Sequence, residues 1–181
     1  MRRVTRITRS VNLGDFQQNP GAAVFVGRGL FFTLSDLPSV AEFTSLFEQY
    51  KFEKVVVHMI PFANWTVMDQ HATVPLVTAI DFDDGTDPTS EDQLLQYGNN
   101  CITHATQEIH RTIQPKIAAA VYNAGGIFNG YAIKTSWISS DSPNVQHYGF
   151  KMGIRPSPPG THWGAGWLIY ADYHIAFRNT R

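Results

Sequence analysis

Apolar and polar residues change their spacing within the stretch Leu37 to Phe62, LPSVAEFTSLFEQYKFEKVVVHMIPF. Val40, Phe43, Leu46, Phe47 and Tyr50 recur at three and four, the stripe of a helix lying on a core. Ser39 and Glu42 have the spacing of a capping box at its start. From Phe52 the run Val55, Val56, Val57, His58, Met59, Ile60 is β-branched and too short for another helix, which predicts a strand over 52–62 directly behind the helix. Upstream, residues 2–13 alternate as a first strand, Gly14 to Gly21 supply a turn, and 22–34 read as a second strand. Gly27 and Gly29 within it predict a bulge or the close approach of another backbone. Downstream, 63–73 read as a loop and 74–82 as a strand ending in acids. A short helix follows over 90–97, with Ser90 as N-cap, Glu91 and Asp92 in the first turn, and Gly98 as the stop. Two strands, 101–106 and 108–122, come next, the second interrupted by Pro115. A long loop over 123–146 leads to closing strands at 147–155 and 165–178.

Eight strands, two short helices and no βαβ rhythm leave too little helix to cover both faces of a parallel sheet, so the strands must cover one another. The fold expected is all-β: an eight-stranded antiparallel jelly-roll β-sandwich with two short helices in its connecting loops. A chain of 181 residues, 43% hydrophobic, suits one domain over 1–181 whose core needs no disulfide, and Cys101 is its single cysteine. No run approaches the roughly eighteen apolar residues of a membrane span, and the N-terminus has no apolar signal-peptide core.

Charge matters here through its distribution. The net value is −1, yet Arg2, Arg3, Arg6 and Arg9 all precede the first acid, Asp15; fourteen basic residues less these four leave ten against fifteen acids. The chain reads as a mildly acidic domain with a short basic arm over residues 1–10. Four arginines could neutralise about four phosphates, or could be the solvated start of a strand.

Chemistry finds little support. Asp81, Asp83, Asp84, Asp87, Glu91 and Asp92 invite a calcium reading, but counting from Asp81 puts Gly85 at the fifth position instead of the sixth, so an EF-hand fails. A looser ion site between subunits and a solvated acidic loop both remain. His104, Glu108 and His110 have even separations and would share a strand face, with His147, His162 or His174 as a further ligand, but no H-x-H pair occurs and no metal site is expected. Cys101 near His104 makes no nucleophile arrangement, and Gly27, Gly29, Gly125 and Gly126 precede no helix that could cradle phosphate. No catalytic residue and no cofactor are expected. Arg111 and Lys116 flank Pro115 as a modest basic cluster, either on phosphate or as ordinary sheet-surface charges. Trp65, Tyr131, Trp137 and Trp163 fall in expected loops, where aromatic anchors cover the sandwich ends or are buried between subunits.

The basic N-terminus, the Leu37 to Phe62 stretch, AIDFDDGTDPTSEDQLLQYGN, HRTIQPKIA and the closing GWLIYADYHIAFR together resemble the capsid proteins of circovirus-like viruses, the small circular single-stranded DNA viruses that encode a replication initiator. The resemblance runs over about residues 20–178 and rests on framework patterns, not on a catalytic signature. It implies a coat protein that self-assembles into a small icosahedral shell, in its simplest T=1 form roughly sixty copies, enclosing single-stranded DNA. It implies genome contact through Arg2, Arg3, Arg6 and Arg9, assisted by Arg111 and Lys116. It also implies subunit contacts through Glu48, Trp65, Tyr131, Trp137 and Trp163, a host-cell receptor, and assembly in the host nucleus, with no membrane insertion. The family carries a longer Arg-rich arm, so residues 1–10 are expected to be the remnant of one. The alternative reading is a carbohydrate-binding or cupin-like jelly-roll module using Trp137, Tyr131 and Trp163 as an aromatic platform, or the histidines for metal.

Overall fold

The computed structural model describes residues 4–18, 24–62, 74–104, 107–122, 126, 128–156 and 165–180. Its longest strands follow from two apolar runs, Phe47–Pro61 (β3) and Gly166–Thr180 (β11), paired antiparallel along nearly their whole length. In β3 the buried positions are Tyr50 and Phe52, then Val55, Val57 and Met59. That switch from even to odd is a bulge at Glu53, where the register slips between His174 and Ile175 of the partner strand. One extra residue returns the apolar side chains to the core face.

Val4–Gln17 (β1) lies on the other side of β11. The turn expected at Gly14 is instead a second bulge within this strand. Gly14 takes φ +86, which only glycine adopts without strain, and its N–H donates to Asn12 Oδ1 at 2.8 Å. Ile109–Ile113 (β6) pairs with β3 and forms the other edge, giving a first sheet in the order β1-β11-β3-β6. The second sheet runs β2-β10-β4-β5, from Val26–Phe32 (β2), His147–Ile154 (β10), Pro75–Ala79 (β4) and Cys101–His104 (β5). With the short strand Ile138–Ser139 (β9) on β3 the first sheet has five strands, and it faces the four-stranded second sheet in the expected antiparallel jelly-roll sandwich, which therefore carries more than the eight strands expected. Between them Phe32, Phe52 and Tyr173 meet edge to face, with Phe150, Trp167 and Met152 filling the rest of the core.

The Leu37–Phe62 stretch departs from expectation at the helix. The helix (α1) spans Val40–Leu46, shorter than the periodicity suggested, because from Phe47 the chain pairs with β11 at Thr180. Ser39 sits in the left-handed region with no capping bond from its side chain. The local cap lies earlier, where the Asp36 carboxylate accepts from the Thr33 N–H and hydroxyl, each at 2.8 Å. Phe43 of α1 and Phe47 stack on Phe177 and close one end of the core.

The segment expected as a loop over 123–146 contains structure. Ile117–Tyr122 (β7) and Phe128–Lys134 (β8) form a separate two-stranded ribbon, and Ile138–Ser139 (β9) adds to β3 beside Gln49 and Tyr50. Pro115 separates β6 from β7 as anticipated. The second helix, Glu91–Leu95 (α2), begins at Ser90, whose hydroxyl accepts from the Gln93 N–H. Together with residues 80–100 it covers the outer face of the second sheet through a small core of Val77, Ala79, Leu94, Phe25 and Tyr97. Gly27 and Gly29 make this possible: a Cβ on Gly27 would lie 2.0 Å from the Pro88 carbonyl, and one on Gly29 2.5 Å from that of Gly85. Among the described residues no helix is long and apolar enough to cross a membrane.

Candidate nucleic-acid and subunit-contact surfaces

The two outer faces of the sandwich differ. The second sheet is covered by the chain's own residues 80–100, and the acidic run lies there. Lys151, on β10, is buried and holds two carboxylates, Asp81 Oδ2 at 2.9 Å and Asp84 Oδ1 at 2.8 Å. Burial alone would push both carboxyls up. The hydrogen bonds from Lys151, with Tyr97 and the Asp83 N–H on Asp81, and Thr86 on Asp84, outweigh it; Asp81 stays below its ordinary range and Asp84 falls to about 2. Asp87 accepts the Gly29 N–H and Glu91 pairs with Arg155. Four of the six acids thus bind the protein's own donors, which leaves little of the ligand set an ion would need.

Among the described residues no segment covers the outer face of the first sheet, which carries a network of polar groups. Arg6 on β1 donates to Glu53 at 3.0 Å, the Thr8 hydroxyl meets His174 Nδ1 at 3.0 Å, and the Ser10 hydroxyl donates to Asp172 at 2.6 Å. Asp172 also meets His58 Nε2, and His58 Nδ1 lies 2.7 Å from His110 Nδ1. The Ser10 hydrogen bond, with His58 beside it, holds the Asp172 carboxyl below its ordinary range despite partial burial. The even spacing of His104, Glu108 and His110 does not put them on one strand face: His104 ends β5 in one sheet while His110 lies in β6 of the other. His147 is a core residue against Phe52, its Nδ1 near the Phe32 and Val145 carbonyls, and burial pushes it down to about 4. Among the described residues no three histidine, cysteine or acidic side chains converge as metal ligands.

Residues 2–181 match the sequence model of the circovirus capsid protein family. The chain belongs to that family. No curated protein matches it. Among solved structures it is similar to the BFDV capsid protein in a 60-mer, with TM-score 0.70 and 18% identity over 99% of this chain and 94% of that one. It is also similar to the decameric BFDV capsid protein (TM-score 0.61, 20% identity, covering 99% and 100%). The coat of Cucumber Necrosis Virus matches with TM-score 0.61 and 15% identity, covering 98% of this chain and 57% of that one. At these identities the likeness to solved structures establishes the fold.

Within this capsid protein the residues singled out from sequence fall into distinct places. Arg2, Arg3, Trp65 and Trp163 lie outside the described residues. Residues 4–10 of the expected arm are edge strand β1, on which Arg6 and Arg9 are exposed, Arg9 donating to the Thr8 carbonyl with its guanidinium 6.0 Å from the Phe43 ring. Arg111 turns inward and bridges the sheets, donating to Thr78 Oγ1 and to the Asn99 carbonyl. Lys116 places its ammonium 4.5 Å over the Phe82 ring and exchanges backbone hydrogen bonds with Tyr148. Trp137 is half-buried beneath the Arg178 guanidinium, which lies 4.2 Å over one face of its ring. Tyr131 pairs with Ala120 in the β7–β8 ribbon. Glu48, Gln49 and Lys51 lie on β3 and not on the helix; Glu48 is exposed beside Ser139 and Asp141. Lys151, Asp172 and the His58–His110 pair went unnoticed in the sequence, because only the register brings together residues as far apart as 58 and 172.

Proposed function

We propose that this capsid protein forms a T=1 shell of sixty copies around circular single-stranded DNA. The observation that carries the reading is the match, over 99% of this chain, to a capsid protein that assembles as a 60-mer. The exposed Arg6 and Arg9, with Arg2 and Arg3 ahead of them, are the genome-facing cations. Arg111 and Lys116 serve the fold first, since Arg111 turns inward to Thr78 and Asn99 and Lys116 lies over Phe82, whereas Arg6 stays exposed even while paired with Glu53.

Subunit contacts draw on the β7–β8 ribbon with Tyr131, on Trp137, Trp65 and Trp163 and on Glu48. Residues 117–133 contain no charged side chain, although Lys116 and Lys134 flank them. A two-stranded ribbon of that composition is marginal alone and gains from being covered by a neighbouring copy. A host receptor and nuclear assembly follow from the family likeness. Micrographs and sedimentation of the purified protein test the reading. Uniform closed shells containing nuclease-protected DNA are expected, with Glu48→Lys giving folded subunits that no longer assemble. Dispersed small oligomers from the native chain would overturn it.

A further inference from the structure

Two histidines stand directly opposite each other on β3 and β6, His58 and His110, with their Nδ1 atoms 2.7 Å apart. At that distance one nitrogen must donate and the other accept. The outer partners decide which. His58 Nε2 lies 2.9 Å from Asp172 Oδ2, and a carboxylate only accepts, so His58 carries its proton on Nε2 and, when neutral, presents a bare Nδ1. His110 therefore donates from Nδ1. Its own Nε2 is then bare, 3.5 Å from Glu108 Oε1.

We propose that this pair is a proton-binding latch: it holds edge strand β6 on β3 while it carries at most one extra proton, and releases it on taking a second. The first proton goes to His110 Nε2, where it faces Glu108 and leaves the Nδ1 contact intact. The second has only His58 Nδ1 to bind, where the His110 N–H already points. Two imidazolium rings then meet donor to donor on directly opposed strand positions, which is repulsive. Asp172 and Glu108, at the outer ends, draw the two rings apart. The other charges on this face add to the repulsion or are neutralised locally. His174 on β11 meets Thr8 and is cross-strand from Lys54, while Arg6 is paired with Glu53. On the reverse side of β6, Arg111 is tied to Thr78 and Asn99 and faces away from the pair.

β6 is five residues long, pairs among the described residues with β3 alone, and leads through Pro115 into the β7–β8 ribbon. Its release on taking the second proton loosens that ribbon. If the ribbon is a subunit contact, a reading that rests on the proposed shell, acidification weakens the shell. The loosening itself needs no shell and is measured separately.

Hydrogen exchange followed by mass spectrometry on the whole chain, at about pH 7.5 and about pH 5 and corrected for intrinsic rates, tests the latch. The Ile109–Ile113 amides are expected to exchange about tenfold faster in acid, relative to the amides of β10, and His110→Thr is expected to abolish the difference. β10 reports any general softening, including that from buried His147. Equal acceleration of β6 and β10 in the native chain, or an unchanged β6 response in His110→Thr, overturns the proposal. Imidazole nitrogen spectra of the native chain at about pH 8 give a check free of variants. The proposal expects His58 protonated on Nε2 and His110 on Nδ1; both protonated on Nε2 would refute it. A native chain that makes no shells yet shows the β6 response would defeat the shell and leave the latch standing.

Discussion

Lys151→Met removes the cation from a buried site and leaves its two carboxylates behind. The Lys151 side chain is 8% exposed and that of Asp81 5%, while Asp84 is 50% exposed. Breaking a buried ion pair by deleting one partner costs about 3–5 kcal/mol, because the remaining charge loses its compensation. Asp81 keeps the Tyr97 hydroxyl and the Asp83 N–H, and Asp84 keeps Thr86 and water, so the lower end, about 3 kcal/mol, is expected. For a chain of this size that lowers Tm by roughly 6–12 °C. The loss depends on pH with a definite sign. The carboxyls of Asp81 and Asp84 sit below their ordinary value of 3.8, so their contribution is present above that value and is lost as pH falls, for Asp84 towards about 2. Burial lowers and the two carboxylates more strongly raise the Lys151 ammonium, so its contribution persists until pH climbs past its ordinary 10.5. Urea melts of dissociated subunits should show the full difference between native and Lys151→Met near neutrality, shrinking as pH falls below 3.8. A difference under about 1 kcal/mol at neutral pH, the size of an exposed pair, would refute the assignment, as would a difference that does not change with pH.

His147 charges more readily in the unfolded chain than in the folded one, since burial lowers it from 6.5 to about 4. Subunit stability should therefore fall as pH drops across that window, by up to on the order of 3 kcal/mol, and His147→Phe should flatten the decline in melts taken across it. Gly27→Ala drives a methyl into the Pro88 carbonyl and should cost about 1–3 kcal/mol by the same melts, with faster amide exchange in α2 as the cover lifts. Tyr173→Phe deletes the hydroxyl that donates to Asp36 Oδ2 at 2.8 Å and should cost about 1–2 kcal/mol without altering the fold by circular dichroism.

How far these features could be read from the sequence depends on how local their causes are. The strand behind Phe52, the Ser90 cap, the break at Pro115 and the close approach at Gly27 and Gly29 each follow from a residue's own geometry or its immediate neighbours. The bulges at Gly14 and Glu53 do not. Each shifts the inward parity by one residue, so Val55, Val56 and Val57 look alike in sequence although the middle one faces outward. The β7–β8 ribbon was hidden because its glycines and asparagines imitate a loop. α1 ends early because pairing with β11 overrides helical periodicity at Phe47 and Tyr50. For the surfaces, sequence identified Arg111, Lys116 and Trp137 as special without revealing that Thr78, Phe82 and Arg178 occupy them.

The two outer faces explain why contacts between subunits should fall to the ends and the ribbon and not to a sheet face. Residues 80–100 already cover the second sheet, and Lys151 pins their first acids to β10. Among the described residues nothing covers the outer face of the first sheet, but Arg6 with Glu53, Thr8 with His174, and Ser10 with Asp172 and His58 satisfy one another across three strands. A neighbour docking flat on that face would have to desolvate groups that already have partners. Exposed apolar side chains among the described residues lie there only at its margins, with Val4 at the start of β1 and Ile60 near the end of β3, and others lie off that face, with Leu46 on α1, Phe62 just after β3 and Ile133 on β8. On the proposed reading, assembly through those points would leave each subunit's sheets unchanged. In the proposed shell the polar face bears on assembly indirectly, through β6, the strand from which the chain leaves for the ribbon.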